Sequence, residues 1–305
     1  MEIDISRFCQ DGSRRFSIAD TPTLVEPLYQ SSGDYRSRMD GFREEIDKLQ
    51  RLMYAHDRYA MLLVFQAMDA AGKDGTIRSV LSGVNPHGVD VHAFKRPSGL
   101  ELDHNYMWRS DARLPRRGTI GIFNRSYYEE VLVCRVHPEI VSDFQRVPRE
   151  FTRDFPRMWK QRFSDIRGME AYNHHNGTRI VKFFLHLSKD EQARRFLSRI
   201  ERQEKNWKFE EGDLRERGYW EDYQEAYEDC INATATRKCP WYVIPADDKP
   251  NMRLIVSQVI LEHLQVLDMH YPEVDEERKA NFENYRAQLK RELGEAERDN
   301  PRASH

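Results

Sequence analysis

Residues 61–78, MLLVFQAMDAAGKDGTIR, constrain the fold more than any other stretch of the chain. Residues 61–65 are apolar enough for a strand buried on both faces, as the centre of a parallel sheet requires. The run stops at the small residues of positions 67–75, and a helix is expected to begin at Lys73. Small side chains let backbone N–H groups approach an anion, and a helix N-terminus adds unpaired donors and the positive end of its dipole. The pattern G-x-x-x-x-G-K-[ST] is met in part: Ala67 stands for its first Gly and Asp74 for its hydroxyl residue, while Gly72-Lys73 keeps register. Ala70, Ala71, Gly72, Lys73, Asp74 and Gly75 are thus candidate phosphate-binding residues. Asp69 adds a second acid, and two acids beside a phosphate site call for a cation. The plainer alternative is a strand-to-helix turn whose Asp69 and Asp74 favour the helix dipole.

A chain of 305 residues suffices for one large domain or two small ones. With 39% hydrophobic and 32% charged residues, no 18-residue apolar run and no basic, apolar leader in MEIDISRFCQ, neither a membrane span nor a secretory signal is read, and the expected location is the cytoplasm. Cys9, Cys134, Cys230 and Cys239 are scattered without metal-ligand spacing, which fits reduced thiols. A net charge of −3 gives no reason to expect nucleic-acid binding. Cations cluster locally, at Lys95, Arg96, Arg109, Arg113, Arg116 and Arg117 and again over residues 194–208. Such clusters suit a polyanion, or simply form solvated helix faces.

In chain order, residues 1–37 carry Gly, Pro and Ser breakers and read as an extended arm or irregular cover; residues 38–58 follow as an amphipathic helix. Strands are expected at 61–65, 89–94, 119–123, 178–187 and 241–245, five in all, with helices between them, including one over 101–113. Asn124-Arg125-Ser126 follows the third strand where its carboxyl end opens. Asn124 is placed to orient magnesium or its water, and Arg125 offers a planar fork for phosphate oxygens. Tyr127 and Tyr128 open a helix in which Glu129 and Glu130 either complete a cation shell or favour the helix start. His174-His175 reads as a helix end before Asn176-Gly177, not a metal site, and Ser188 as an N-cap. Residues 192–209 carry Arg194, Arg195, Arg199, Arg202, Lys205 and Lys208 with few acids, a candidate lid that would exclude water and neutralise charge on closing. The expected division is an N-terminal arm (1–37), an α/β domain (38–271, lid at 189–215) and a charged tail (272–305).

From about residue 35 to about residue 268 the chain resembles the type-2 polyphosphate kinase family. The resemblance rests on AMDAAGKDGTI, FNRSYYEEVL, GVNPHGVDVHAFKRPSGLELDHNYMWR, NGTRIVKFFLHLS, EKNWKF and PWYVIPADDK. It implies an α/β fold, a P-loop kinase three-layer α/β/α sandwich with a mainly parallel sheet and a helical lid. It also implies reversible phosphoryl transfer, dependent on Mg²⁺ (or Mn²⁺), between inorganic polyphosphate and AMP, ADP or ATP, and a chain that associates with itself. Carried onto this sequence, Asp69, Lys73 and Arg125 become catalytic candidates and Asp69, Asn124 and Glu129 metal candidates. Apart from the resemblance, the basic cluster itself makes Lys95, Arg109, Arg113 and Arg116 candidates for the channel that tracks the long polyphosphate donor. Asn124, Arg125, Tyr128, Arg195, Arg199, Arg202, Lys205 and Lys208 become nucleotide and lid candidates. The F-N-R-S stretch resembles the subgroup that accepts monophosphates as well as diphosphates. The alternatives are an ATP-dependent small-molecule kinase of the same fold and a non-catalytic polyphosphate or nucleotide sensor.

Overall fold

In the computed structural model, which describes residues 3–207 and 209–299 with side chains through 293, six strands form one sheet. They are β1 (Cys9–Gln10), β2 (Ala60–Gln66), β3 (Val89–Ala93), β4 (Ile120–Asn124), β5 (Thr178–His186) and β6 (Trp241–Pro245), in the order β1-β6-β5-β2-β4-β3. All pairings are parallel except that of β1 with β6. The expected count of five is corrected to six. The added strand is two residues long, too short for a periodic pattern, and is made by pairing Cys9 with Tyr242 and Gln10 with Trp241. The stretch read as an arm or cover packs into the body: Ile3, Ile5, Phe8 and Phe16 are buried, and Asn232 exchanges two hydrogen bonds with the Phe16 backbone, at 2.8 and 2.9 Å.

Alternation along the strands builds three layers. Met61, Leu63 and Phe65 face one core with α1 (Ser32–His56), α2 (Lys73–Val80) and, later in the chain, the helix Lys249–Gln265. Leu62 and Val64 face a second core with α3 (Phe155–His175) and the helix Trp220–Thr234. Every residue of β2 is buried, and each of its large apolar side chains contributes about 1.5–3 kcal/mol. Later in the chain come α4 (Lys189–Glu201) and α5 (Glu211–Arg217); α6 is Trp220–Thr234 and α7 Lys249–Gln265. Ser188 caps α4 through Glu191 N–H at 3.1 Å, and α3 ends at His175 before Gly177, whose φ is +90°. The helix expected over 101–113 is instead two single turns, Gly99–Leu102 and Trp108–Asp111. Asn105 interrupts it by taking the Met107 N–H on its side chain, at 3.0 Å. After Met269 a second unit begins, carrying α8 (Glu276–Asp299). Among the described residues no helix is long and apolar enough to cross a membrane.

One buried histidine makes the first unit acid-sensitive. His263, on α7, accepts from Arg179 Nε at 2.9 Å and lies 2.9 Å from the Tyr242 hydroxyl. Burial, reinforced by the Arg179 charge, depresses its pKa to about 3. The unfolded chain therefore binds a proton near the ordinary histidine value that the folded chain refuses. Stability contributed at neutral pH falls as pH drops from about 6.5 towards about 3, by roughly 1.4 kcal/mol per unit. Denaturant titrations at stepped pH should show that slope, and His263→Gln should flatten it.

Candidate active site

β2 sits between β4 and β5, and the loop leaving its carboxyl end opens at the sheet's switch point, where ligands bind in this kind of sheet. Gly72 takes φ +101° and Ala70 φ +64°, left-handed values that turn successive peptides of the loop; Ala70 does so at a cost that only a surrounding scaffold sustains. α2 starts at Lys73, as the sequence suggests. The Lys73 ammonium folds back to donate to the Ala67 carbonyl at 2.9 Å. Burial, then the Arg125 charge, pull its pKa below the usual lysine value against Asp69, Glu129 and Asp74. It is a poorly solvated cation facing the loop interior.

α4 braces this loop rather than hanging over it. Arg195 is buried, with Nη1 donating to Ala70 and Ala71 carbonyls at 3.2 and 2.8 Å and Nη2 to Ala246 and Asp247 at 2.6 and 3.1 Å. Its Nε donates to Glu191 at 2.8 Å. Gln192 donates to the Asp69 carbonyl at 3.0 Å and is itself held by Arg217 at 2.9 Å. Arg195, expected among the lid cations, is thus spent on four carbonyls of the scaffold, and no sequence signal places Gln192 or Arg217 beside the loop. Lysine cannot reproduce that fork, so Arg195→Lys should destabilise the fold by about 1–3 kcal/mol and loosen phosphate binding, measurable by thermal melts and donor KM.

β4 delivers the second half of the site. Asn124 donates to Asp74 at 2.7 Å, tying β4 to the start of α2. Arg125 has φ +63°, its N–H donates to Phe65 at 3.1 Å, and its guanidinium meets Asp69 at 3.1 Å. Burial alone would lower the Arg125 pKa, but Glu129 and Asp69 raise it above its ordinary value. Residues 127–130 form a 3-10 turn rather than the opening of a helix. Glu129 shares a cavity of about 170 Å³ with Asp69 and Arg125, and burial raises its carboxyl pKa against the pull of Arg125 and Lys73. Tyr128 is turned the other way: its hydroxyl donates to Glu170 at 2.7 Å inside the core, so the structure does not bring it to a nucleotide.

Among the described residues no three His, Cys, Asp or Glu side chains cluster as a ready metal cage. Mg²⁺ is characteristically held by one or two carboxylates with substrate phosphates, and the oxygen donors Asp69 and Glu129 facing one cavity fit that chemistry. A larger cleft of about 640 Å³ adjoins this cavity, with Lys95, Arg96, Arg125, Glu129 and Arg215 on its walls beside Phe144 and Tyr219. The remaining expected residues scatter. Arg109 also lines this cleft but is buried, donating to the Lys95 carbonyl at 2.7 Å and pairing with Glu130 at 3.6 Å. Arg113 and Arg202 are exposed, Arg199 pairs with Asp213 at 3.3 Å, and Lys205 reaches Ser198 at 3.5 Å. Arg116 precedes β4 at the opposite edge of the sheet, and Lys208 lies outside the described residues.

Comparison with known proteins agrees with this geometry. The family described as Polyphosphate kinase 2 matches residues 29–272. An ADP-polyphosphate phosphotransferase of Rhodopseudomonas palustris is 51% identical over 291 residues, 95% of this chain and 99% of that protein. An AMP/ADP-polyphosphate phosphotransferase of Meiothermus ruber is 46% identical over 228 residues, 75% of this chain and 80% of the relative. The crystal structure of Polyphosphate Kinase 2 from Arthrobacter aurescens TC1 superposes with a TM-score of 0.79 at 32% identity, covering 92% of this chain and 98% of that one. Matched over residues 29–272 by the family and over 95% of its length by a relative 51% identical to it, the chain belongs to the polyphosphate kinase 2 family.

Proposed function

We propose that the chain transfers the terminal phosphoryl group of inorganic polyphosphate to ADP and AMP. The observation that carries this reading is the convergence of Asp69, Lys73, Arg125 and Glu129 at the carboxyl edge of the sheet, beside a cation-walled cleft. The relatives' names supply the acceptors, ADP in one and AMP or ADP in the other, and the F-N-R-S stretch at 123–126 favours both.

Attacking and leaving atoms are both phosphate oxygens, so no protein nucleophile is required, and the demand on the protein is alignment and charge stabilisation. Lys73 and the loop N–H groups hold oxygens of the transferred group, and the Arg125 fork neutralises charge as it develops. Asp69 and Glu129 are the side chains that would hold Mg²⁺, or Mn²⁺ in its place, which when bound offsets phosphate charge. Phe144 and Tyr219, 60% and 39% exposed, give the large cleft apolar surface for a base, and Lys95, Arg96 and Arg215 give it cations for an acceptor's phosphates. On the loop's other flank α7 brings Arg253 to 3.6 Å from a Cβ placed on Gly75, and this flank, with Lys249 at the start of the helix, is assigned to the donor.

Ion-exchange chromatography of AMP or ADP incubated with long-chain polyphosphate and Mg²⁺ tests the reading. ADP and ATP formed from AMP support it in full. ATP from ADP alone keeps the donor and removes AMP. Transfer from ATP but not from polyphosphate would replace it with the small-molecule kinase.

A further inference from the structure

The parallel strands all begin at the edge opposite the phosphate loop, and most are entered through basic residues. β2 follows Arg58, β4 follows Arg116 and Arg117, β5 follows His174 and His175, and β6 follows Arg237 and Lys238. Because β1 is antiparallel, the chain leaving it emerges at the same edge with Arg14 and Arg15. These groups are contiguous. Arg117 donates to the Arg58 carbonyl, a Cβ placed on Gly177 would lie 3.2 Å from both of those residues, and Lys238 Nζ is 3.3 Å from His175 Nε2.

Among the described residues few of these side chains enter ion pairs. Arg109, Arg125, Arg135, Arg162 and Arg195 all meet carboxylates. Among the described residues Arg58, Arg116, Arg117 and Lys238 enter no ion pair, and Arg237 only approaches Asp11 at 3.8 Å. The plain explanation is that α1, α3, α6 and α7 end at this edge, and a helix C-terminus carries about half a negative charge that cations offset. Four such ends, with Asp11, Asp57, Asp90 and Glu262, offset most of the charge at a distance. They leave the guanidinium and ammonium groups of Arg58, Arg116, Arg117 and Lys238 exposed and, among the described residues, outside any ion pair, open to a polyanion's oxygens. Burial, then the nearby Lys238, Arg179 and His175, hold the His174 pKa below the ordinary histidine value.

We propose that this edge is a second contact for long inorganic polyphosphate, holding the distal part of a chain whose end reacts at the loop. The proposal rests on polyphosphate being the donor. β5 alone separates the two edges by about 30 Å, so only chains long enough to pass around the domain engage both. A second contact on one chain raises affinity through effective concentration, and such a contact weakens with salt. The exposed Tyr54 and Tyr172, in the last turns of α1 and α3, lie at this same edge, Tyr54 against Gly118 at the entry to β4, and would suit stacked bases of a single-stranded nucleic acid. Two aromatics against seven cations favour the inorganic polyanion, and the test includes the other ligand.

The test compares wild type with Arg58→Glu/Arg237→Glu/Lys238→Glu, and with the corresponding triple glutamine variant in case charge reversal impairs folding. At low salt, KM for long-chain polyphosphate should rise about fivefold or more in the reversed variant, with kcat, acceptor KM and KM for chains too short to span the domain unchanged. An unchanged long-chain KM, or an equal rise for short chains, overturns the proposal. So does binding of a single-stranded oligonucleotide that the substitutions abolish while long-chain KM stays fixed. Wild type with no turnover on polyphosphate of any length would instead remove the donor assignment, and this inference with it.

Discussion

Lys73→Ala is expected to lower kcat about 10³-fold while barely moving the melting temperature. The asymmetry follows from the geometry. In the fold Lys73 makes one hydrogen bond, to the Ala67 carbonyl, and its cation is disfavoured by burial and by Arg125. Removing it deletes little that holds the protein together. In the transferring complex the same cation is the one poised inside the loop, poorly solvated, and charge placed beside it gains more than it would in water. The loss should therefore fall on kcat more than on donor KM, because the interaction strengthens as charge shifts between phosphate oxygens. Steady-state kinetics with thermal melts on the same preparation checks this. A variant that kept more than about a tenth of wild-type kcat would place the reacting phosphate away from this loop.

The strand and loop at 60–75 were legible because burial on both faces leaves an uninterrupted apolar run and the turn demands small residues. Trp241–Pro245 was readable for the same reason. What escaped is what depends on docking. Arg195 and Arg199 are one helical turn apart in an arginine-rich segment, and nothing local distinguishes the one that clamps the loop backbone from the one that pairs with Asp213. Tyr128 and Glu129 are adjacent, yet the turn sends one hydroxyl into the core and leaves its neighbour's carboxylate beside Asp69. Arg116 belongs to a basic cluster in sequence, but the strand that follows carries it to the far edge. Gln192 and Arg217 were invisible because uncharged or solitary side chains acquire meaning only from the carbonyls they meet.

Glu170→Ala should be the most damaging single substitution to stability, costing about 3–5 kcal/mol. Lys182, on the central strand β5, is fully buried and pairs with Glu170 at 2.7 Å, also donating to the Thr234 carbonyl at 2.9 Å. Tyr127 and Tyr128 both donate to the same carboxylate, at 2.9 and 2.7 Å. Alanine would leave an ammonium and two hydroxyls in the core without their common acceptor, and water cannot replace it without opening the packing between α3 and α6. The reason for the cost is the orphaned charge rather than the strength of the pair. Glu170→Leu/Lys182→Met combined with Tyr127→Phe and Tyr128→Phe should accordingly recover most of the loss in urea titration, since apolar replacement of every partner removes the desolvation penalties with the attractions. Activity should not recover with it. The two tyrosines belong to the 3-10 turn that carries Glu129, so a repacked core can be stable while the carboxylate beside Asp69 is aimed elsewhere. A repacked variant with near-native stability and much reduced kcat would show that this buried network serves the site through orientation; one with full activity would show that the turn is held well enough by packing alone.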